Sequence, residues 1–490
     1  MLKNKKIWIP LLCALILLIV AATVITVILL NKKDDPEATA PTINGFVSSE
    51  GLAFTLNEGG LDYTCTGIGT CTDTDIVIDT YNNLPVTTVN ESSFEGNTSI
   101  RSLVIGNNVK IIKFNAFKDC TAIKTVEIGD GVETISHYAF FNDTSVESVK
   151  LGKGVISIGY GAFSGTTSLK EFTVSAENAK YKAIDGCLYT SGGETLIQYA
   201  LGRTEDTANL LDTVKMIADL AFASAKSLKE VKLPENLTEI GESAFIDCSS
   251  LKGIAIPTGV KTLKTSTFAN CSSLESVTFS GALDKIDEAA FYGCEKLAQI
   301  SLPSTVTYIG PSAFMNCKKL AEISIPSGVA HIQSSAFHGC EELTSVSLPE
   351  GLISINESAF EGCSKLLGVI LPENMTLLGA RAFYGCDRLT EITIPGKIVD
   401  VLGDTFAMCR KIQTIVISDG VMVVRKNAFD GSIGLRTLYL PDSIIAFEDA
   451  IQGSYQLTDV YYGGTEEEFS QVVHPGYFDG VTIHYNYMPE

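Results

Sequence analysis

Residues 251–271 read LKGIAIPTGVKTLKTSTFANC, and this stretch decides the fold because its pattern recurs along most of the chain. Phenylalanine marks the register: it stands at intervals of 23 from Phe94 to Phe163, and again at intervals of 23 from Phe222 to Phe429. Each unit has an aliphatic residue six positions after its phenylalanine and apolar residues nine and eleven positions after it, often followed by proline. The chain is therefore built from a repeat.

The spacing within one unit predicts its path. Apolar residues two positions apart, such as Ile254 and Ile256, lie on one face of a strand. Pro257 then ends the strand, because proline cannot donate a backbone hydrogen bond. The chain turns, returns through Val260 and Leu263, and buries Phe268. One such coil cannot bury its apolar face alone, whereas stacked coils share a continuous core, so the pattern predicts a β-rich solenoid of 23-residue units.

The pattern LxxIxIPxxVxxIxxxAFxxC resembles the BspA-type leucine-rich repeat over about residues 45–486. Three further segments are similar to parts of that family: the leader at 51–86, the hairpin-like AIDGCLYTSGGETLIQYALG at 183–202, and the ending VYYGGTEEEFSQV at 460–472. The resemblance implies a leucine-rich repeat fold and a cell-surface protein that takes part in adhesion.

The repeat and its interruptions predict the domain organisation. Ser191-Gly192-Gly193 between alternating apolar runs indicates a hairpin turn inside the interruption. The predicted segments are a cytoplasmic tail at 1–6, a transmembrane helix at 7–30, a linker at 31–44, an N-terminal cap at 45–90, leucine-rich repeats at 91–169, a hairpin insertion at 170–216, leucine-rich repeats at 217–456, and a C-terminal cap at 457–490.

Residues 7–30 carry no charged side chain. At 1.5 Å per residue they reach about 36 Å, enough to cross a hydrocarbon core of about 30 Å, and they are too long for the apolar core of a signal peptide. Lys3, Lys5, Lys6 and the amino terminus precede this run, and Lys32 and Lys33 follow it. The positive-inside rule thus favours a single-pass cell-membrane protein with a cytoplasmic N-terminus and an extracellular repeat domain.

Charge argues against nucleic acid as a partner. The chain has 36 Lys and Arg against 57 Asp and Glu, a net charge of −21. Such a surface repels phosphate backbones. The expected partners are instead the membrane, through residues 7–30, and an extracellular protein or glycan.

Nine of the 13 cysteines stand three positions after a repeat phenylalanine. A metal or redox array is one interpretation, and a small apolar residue in a tight buried turn is the other. The second is favoured, because other coils replace the cysteine by Asn97, Asp143, Thr166, Ala225 or Ser432. No metal site is therefore predicted. Cys65 and Cys71 lie outside this series and are candidates for an extracellular disulfide.

No catalytic motif is present in the sequence. The five histidines form no H-E-x-x-H motif, and no glycine-rich phosphate-binding loop follows a strand. We therefore expect neither an enzyme nor a cofactor.

The residue ten positions after each phenylalanine points away from the core, so these residues form one row on the exposed face. The row changes from small and hydroxylated to apolar and aromatic, and exposed tyrosines on a rigid sheet are good binding anchors. The alternative is that such residues are simply favoured in strands. The candidate ligand-binding residues are Ser301, Ser324, Ser347, Ile370, Thr393, Val416, Tyr439 and Tyr461.

Two functions remain open at this point. The first is a membrane-anchored surface protein that binds a protein or glycan ligand, in adhesion or in interaction with a host or neighbouring cell. The second is a structural or scaffold protein of the cell envelope with no discrete ligand.

Overall fold

The computed structural model of the protein describes residues 46–474 and 476–487. The predicted cytoplasmic tail, transmembrane helix and linker lie outside the described residues. Within them, no helix is both long enough and apolar enough to cross a membrane.

Most coils contribute one strand to a first sheet, called sheet 1, and one short strand to a second, called sheet 2. In the coil that begins at Leu251 these strands are Gly253–Ile256 and Thr262–Leu263. Ile254 and Ile256 are buried and Ala255 between them is exposed, so the predicted alternation is confirmed. Parallel neighbours pair residues 23 positions apart, as in Ile254 with Val277. The structure therefore confirms the β-solenoid.

Sheet 1 consists of parallel strands and is interrupted in three places. Its strands are Asp75–Ile78, Ser102–Ile105, Thr125–Ile128, Ser148–Leu151, Glu171–Val174, Thr207–Asn209, Glu230–Lys232, Gly253–Ile256, Ser276–Phe279, Gln299–Ile300, Glu322–Ser324, Ser345–Ser347, Glu391–Ile394, Thr414–Ile417, Thr437–Leu440, Asp459–Tyr462 and Thr482–His484.

Sheet 2 is also interrupted, and most of its strands are two residues long. Its strands are Ala53–Leu56, Tyr63–Gly67, Thr80–Tyr81, Leu84–Val89, Ile111–Ile112, Thr134–Ile135, Ser157–Ile158, Tyr181–Ile184, Cys187–Thr190, Thr195–Gln198, Met216–Ile217, Glu239–Ile240, Thr262–Leu263, Lys285–Ile286, Tyr308–Ile309, His331–Ile332, Ser354–Ile355, Leu377–Leu378, Asp400–Val401, Val423–Val424 and Ala446–Phe447.

The repeat phenylalanines form two columns of stacked rings in the core. Successive ring centroids are 4.7 to 5.6 Å apart, and the rings are close to parallel. The turn around each ring is held by backbone hydrogen bonds to the next coil: the Phe268 N–H donates to the Ala290 carbonyl oxygen over 2.8 Å. Residues two positions before and after the phenylalanine, such as Ser266 and Asn270, have positive φ. This explains the many Gly, Asn and Asp residues two positions after the phenylalanine.

The hairpin insertion divides the core in two. Tyr181–Ile184 and Cys187–Thr190 are antiparallel, as are Cys187–Thr190 and Thr195–Gln198. Leu188 packs into the core of the N-terminal coils, whereas Cys187 and Tyr189 pack into the core of the C-terminal coils. The insertion is thus a layer with one face in each core.

The repeat register resumes within the predicted insertion. Tyr199 lies 23 residues before Phe222, and its ring stacks on Phe222 at 4.8 Å. Its N–H donates to the Ala221 carbonyl oxygen, as the repeat phenylalanines do to the equivalent residue. Tyr199 therefore begins the second column of rings. At the other end of the insertion, Glu171–Val174 still pairs with Ser148–Leu151 in the repeat register.

The two ends of the repeat domain depart from the repeat. At the N-terminal end Ala53–Leu56 pairs antiparallel with Tyr63–Gly67. At the C-terminal end a helix runs from Glu466 to Val472, and Thr465 begins it with a capping box. Its buried Phe469 lies 5.1 Å from the ring of Tyr462. This helix and the strand Thr482–His484 are the last elements of the described structure. They lie next to the candidate ligand-binding residues.

Candidate functional site

The structure places the eight candidate residues along the outer face of sheet 1. The first five, Ser301, Ser324, Ser347, Ile370 and Thr393, are exposed, whereas Val416, Tyr439 and Tyr461 are half-buried. From Thr393 to Tyr461 each residue pairs directly with the next in the sheet. Ile370 lies in a coil without a sheet 1 strand and is 89% exposed. The C-terminal four residues therefore form a continuous row, and the others do not.

The C-terminal end of this row is a cluster of four aromatic side chains. The rings of Tyr439 and Tyr461 stack at 4.8 Å, and those of Tyr461 and His484 stack at 4.4 Å. Tyr487 lies against both tyrosines, at 5.4 Å from Tyr439 and 4.9 Å from Tyr461. The expected tyrosines are thus joined by two further side chains, and for that reason they are half-buried rather than fully exposed.

Local backbone structure brings Tyr487 to the cluster. After the strand Thr482–His484 the chain turns at Asn486, which has a φ of 56°. The Asn486 N–H donates to the Gly464 carbonyl oxygen, and the Tyr487 N–H donates to the Tyr462 carbonyl oxygen over 3.0 Å. These bonds tie the C-terminal segment to the last coils and place its ring over the two tyrosines.

Sequence reasoning missed His484 and Tyr487. His484 carried a usable signal, because it lies 23 residues after Tyr461 and pairs with it in the sheet. Tyr487 carried none: it follows the last strand, and its position depends on the turn at Asn486.

Charge near the cluster is set by carboxylates. His484 Nε2 lies 3.0 Å from Asp459 Oδ1, and this hydrogen bond lowers the pKa of the Asp459 carboxyl. Desolvation raises the pKa of Tyr439, with smaller contributions from Tyr487 and Tyr461. The Tyr439 hydroxyl therefore stays neutral near pH 7.

A pocket of about 450 Å³ lies beside the cluster. Tyr439, Tyr461 and Tyr487 line it, while the exposed Asp419 and Asp442 lie at its edge. Among the described residues, its lining includes no Lys or Arg. Rings beside carboxylates suit the binding of a flat or cationic group, since aromatic faces attract cations.

The central part of the row is different in chemistry. Ser301, Ser324 and Ser347 line a shallow depression of about 580 Å³ together with Gln299 and Glu322. No aromatic side chain lines it. This part of the face can form hydrogen bonds but offers no anchor for a large apolar or planar group.

The repeat cysteines form a buried ladder, as the packing interpretation predicts. Each thiol donates to the carbonyl oxygen of the phenylalanine 26 residues earlier, as Cys271 does to Phe245 over 3.1 Å. Burial raises the pKa of Cys340 and of Cys409 to about 12. These thiols are therefore protonated packing groups. Within residues 46–474 and 476–487, no three His, Cys, Asp or Glu side chains are grouped as for a metal ion.

Cys65 and Cys71 are both free thiols in the structure. Cys65 is fully buried, which raises its pKa to about 12, and Cys71 is half-buried against the same core. The predicted disulfide between them is not formed here and stays a prediction for the oxidised protein.

The coils run parallel around stacked phenylalanines and present one row of residues on the outer face of sheet 1. This arrangement defines a leucine-rich repeat solenoid. The family model for the BspA type leucine rich repeat region matches in six copies, over residues 73–190, 215–344 and 330–458. The chain belongs to this BspA-type leucine-rich repeat family, as the resemblance predicts.

The chain is similar to solved structures of other leucine-rich repeat proteins. A leucine-rich repeat protein from Bacteroides ovatus is 22% identical with a TM-score of 0.54, over 89% of this chain and 98% of that one. One from Eubacterium ventriosum is 21% identical with a TM-score of 0.48, over 69% and 93%. A leucine rich cell surface protein from Faecalibacterium prausnitzii is 19% identical with a TM-score of 0.38, over 86% and 96%. No curated protein matches the chain.

Proposed function

We propose that this protein is a membrane-anchored surface protein whose sheet 1 binds a protein or glycan ligand at its C-terminal end, in adhesion or cell–cell interaction. The observation that carries the proposal is the aromatic cluster of Tyr439, Tyr461, His484 and Tyr487 beside a pocket of about 450 Å³. The central part of the same exposed face, by contrast, is hydroxylated and has no aromatic lining.

Rigidity supports a binding role for this cluster. Tyr439 and Tyr461 stand on neighbouring paired strands, so little side-chain freedom is left to lose when a ligand binds. Tyrosine is also enriched among the residues that dominate binding energy at interfaces.

Binding is tested with the full-length chain in detergent, titrated onto host cells and onto extracellular matrix. We expect saturable binding, weakened at least about tenfold when Tyr439→Ala and Tyr461→Ala are combined, because each anchor supplies about 1 kcal/mol or more. Tyr455→Ala is the matched control, since Tyr455 is 91% exposed and does not line the pocket. Unchanged binding by the double variant would place the ligand elsewhere.

The membrane topology needs its own experiment. Protease treatment of intact cells, followed by mass spectrometry, is expected to release peptides from residues 46–487 while the membrane stays sealed. The apolar run at 7–30 and the lysines before it support this orientation. Peptides found only after lysis would put the repeat domain in the cytoplasm and exclude adhesion.

A scaffold role is the second candidate function, and one observation favours it. Immediately before the sheet 2 strands, the residues sixteen positions after the phenylalanine are apolar and exposed in four of the last five coils: Ile353, Val399, Met422 and Ile445. Exposed apolar rows of this kind mark surfaces that pack against other proteins. Replacing Val399 and Met422 by Ser would impair assembly in the envelope if this role is correct, and would leave ligand binding on sheet 1 unchanged.

A further inference from the structure

We infer that the pocket beside the aromatic cluster accepts an arginine side chain of a protein partner. The inference rests on the proposed function and gives its ligand a chemical class. It follows from three features of the pocket: an aromatic lining, carboxylates without ion-pair partners, and the lack of Lys and Arg among the described lining residues.

The first feature is the ring of Tyr439. One of its faces stacks on Tyr461 at 4.8 Å, and Tyr487 is tilted against both rings by 48° and 60°. In the preceding coil the paired residue is Val416, which has no ring. Val416 and Tyr439 both line the pocket, so a planar group that enters it contacts the Tyr439 ring. A guanidinium plane stacks on such a ring more favourably than an ammonium does.

The second feature is the pair of carboxylates at the edge. Asp419 and Asp442 occupy the same repeat position in consecutive coils, thirteen residues after Phe406 and Phe429. Both are exposed, and neither forms an ion pair with any Lys, Arg or His among the described residues. Carboxylates that flank an aromatic face complement the guanidinium fork, which donates paired hydrogen bonds to carboxylate oxygens.

The third feature distinguishes a basic side chain from a sugar. Among the described residues, the lining contains no Lys or Arg side chain that would neutralise its two carboxylates. A neutral sugar leaves that charge uncompensated, whereas a guanidinium neutralises it and donates hydrogen bonds to it. The negative charge of the protein, −21, adds long-range attraction for a basic surface.

The test uses the full-length chain in detergent and isothermal titration calorimetry with three probes. The first is acetyl-Gly-Arg-Gly-amide, the second is the same peptide with citrulline, which is neutral and nearly the same shape, and the third is maltotriose. We expect the arginine peptide to bind and the citrulline peptide to bind at least about tenfold more weakly, because the cation–π and carboxylate contacts require the charge. Maltotriose is expected not to compete.

Variants locate the site. Asp419→Asn combined with Asp442→Asn is expected to weaken binding of the arginine peptide about tenfold. Adding Tyr439→Ala is expected to weaken it further. Glu350→Gln is the matched control: Glu350 occupies the same repeat position after Phe337, is exposed and lies outside the pocket. It removes one charge and is expected to leave binding unchanged. Thermal melts of every variant establish that the fold is retained.

The outcomes separate this inference from the proposed function. Equal binding of arginine and citrulline peptides, or binding unchanged by the two aspartate substitutions, overturns the inference. Maltotriose binding that is lost in Tyr439→Ala overturns it in favour of a glycan, and the proposed function then stands. If the tyrosine variants leave cell binding intact, the proposed function fails and the inference falls with it.

Discussion

The coils before and after the hairpin insertion each stack their phenylalanine rings in a column of their own, and they differ in the residue three positions after the phenylalanine. After the insertion this slot holds cysteine in eight consecutive coils, from Cys248 to Cys409. Before it, the slot holds Asn97, Cys120, Asp143 and Thr166. The phenylalanine rings stack alike in both groups, at 5.2 Å for Phe117–Phe140 and 5.3 Å for Phe314–Phe337. The stack therefore does not depend on the cysteine.

The comparison of the two groups of coils shows which side chains the position three residues after the phenylalanine accepts. Cys120 donates to the Phe94 carbonyl oxygen, and Thr166 donates to the Phe163 carbonyl oxygen over 2.7 Å. Asp143 instead accepts from the Cys120 N–H over 2.8 Å, and its second oxygen has no partner in the structure. A small neutral side chain fits the slot, whether it donates a hydrogen bond as Cys120 does or cannot donate one, like Ala225; an ionised carboxylate does not fit it.

The largest expected effect is the loss of a ring from the second column. Phe314→Ala is expected to lower the free energy of unfolding by about 3–5 kcal/mol, because it leaves a cavity between two stacked rings. Hydrogen exchange should show lost protection over the coils after the insertion and retained protection before it. Phe114→Ala is the control, since Phe114 is 40% exposed and forms an edge-to-face pair with Tyr138. Uniform loss along the whole chain would contradict two separate cores.

The insertion layer offers a matched pair for the same comparison. Leu188→Ala is expected to cost about 2–5 kcal/mol and to expose mainly amides of the coils before the insertion, because Leu188 packs into that core. Leu196→Ala is expected to cost as much and to expose the coils after it. Hydrogen exchange of both variants gives the measurement. Identical exchange maps would mean that the layer transmits strain between the cores.

Asp143→Asn is expected to stabilise the protein near neutral pH by about 1–3 kcal/mol. Burial raises the pKa of the Asp143 carboxyl well above its ordinary 3.8. The folded form therefore keeps a proton on the Asp143 carboxyl that the unfolded chain releases. The contribution of this group to the free energy of unfolding is present below about pH 4 and is lost as pH rises. Melting temperatures of both proteins are measured from pH 4 to 8. The difference between them should grow as pH rises, with the variant melting at the higher temperature. Parallel curves would show that Asp143 is solvated.

The smallest expected effect is on the cysteine ladder, which should not react. Native protein treated with iodoacetamide at pH 8 is expected to leave Cys340 and Cys409 unmodified, because burial raises each pKa to about 12 and excludes the reagent. The half-buried Cys71 is expected to react. If Cys71 reacts only after reduction, the predicted disulfide with Cys65 exists in the oxidised protein. Rapid labelling of the ladder would mean that the coils open readily.

Much of the fold follows from local spacing. The 23-residue interval identifies which side chains of a coil point inward, such as Ile254 and Phe268, and which point outward, such as Ala255. It succeeds because each coil contacts mainly its neighbours, so one register describes many contacts. Tyr199 escaped this reasoning, since it replaces phenylalanine at the start of the second column and follows an insertion that shifts the register.

The candidate site could be predicted only in part. The outward row and its change to Val416, Tyr439 and Tyr461 follow from the repeat. The half-burial of both tyrosines does not, because it results from the segment after His484 folding back across them. Contacts between a repeat and a non-repeating end have no periodic signal.

By itself, the sequence determined the coil, the strand before its proline, the buried phenylalanines and the slot of the cysteines, because each is a short-range consequence of apolar spacing. The tertiary structure alone decided that the insertion separates two cores, that Asp143 lies buried with an unpartnered oxygen, and that Tyr487 completes an aromatic cluster. These features arise where the chain departs from its period. There the position of a side chain depends on partners distant in sequence, which only folding brings together.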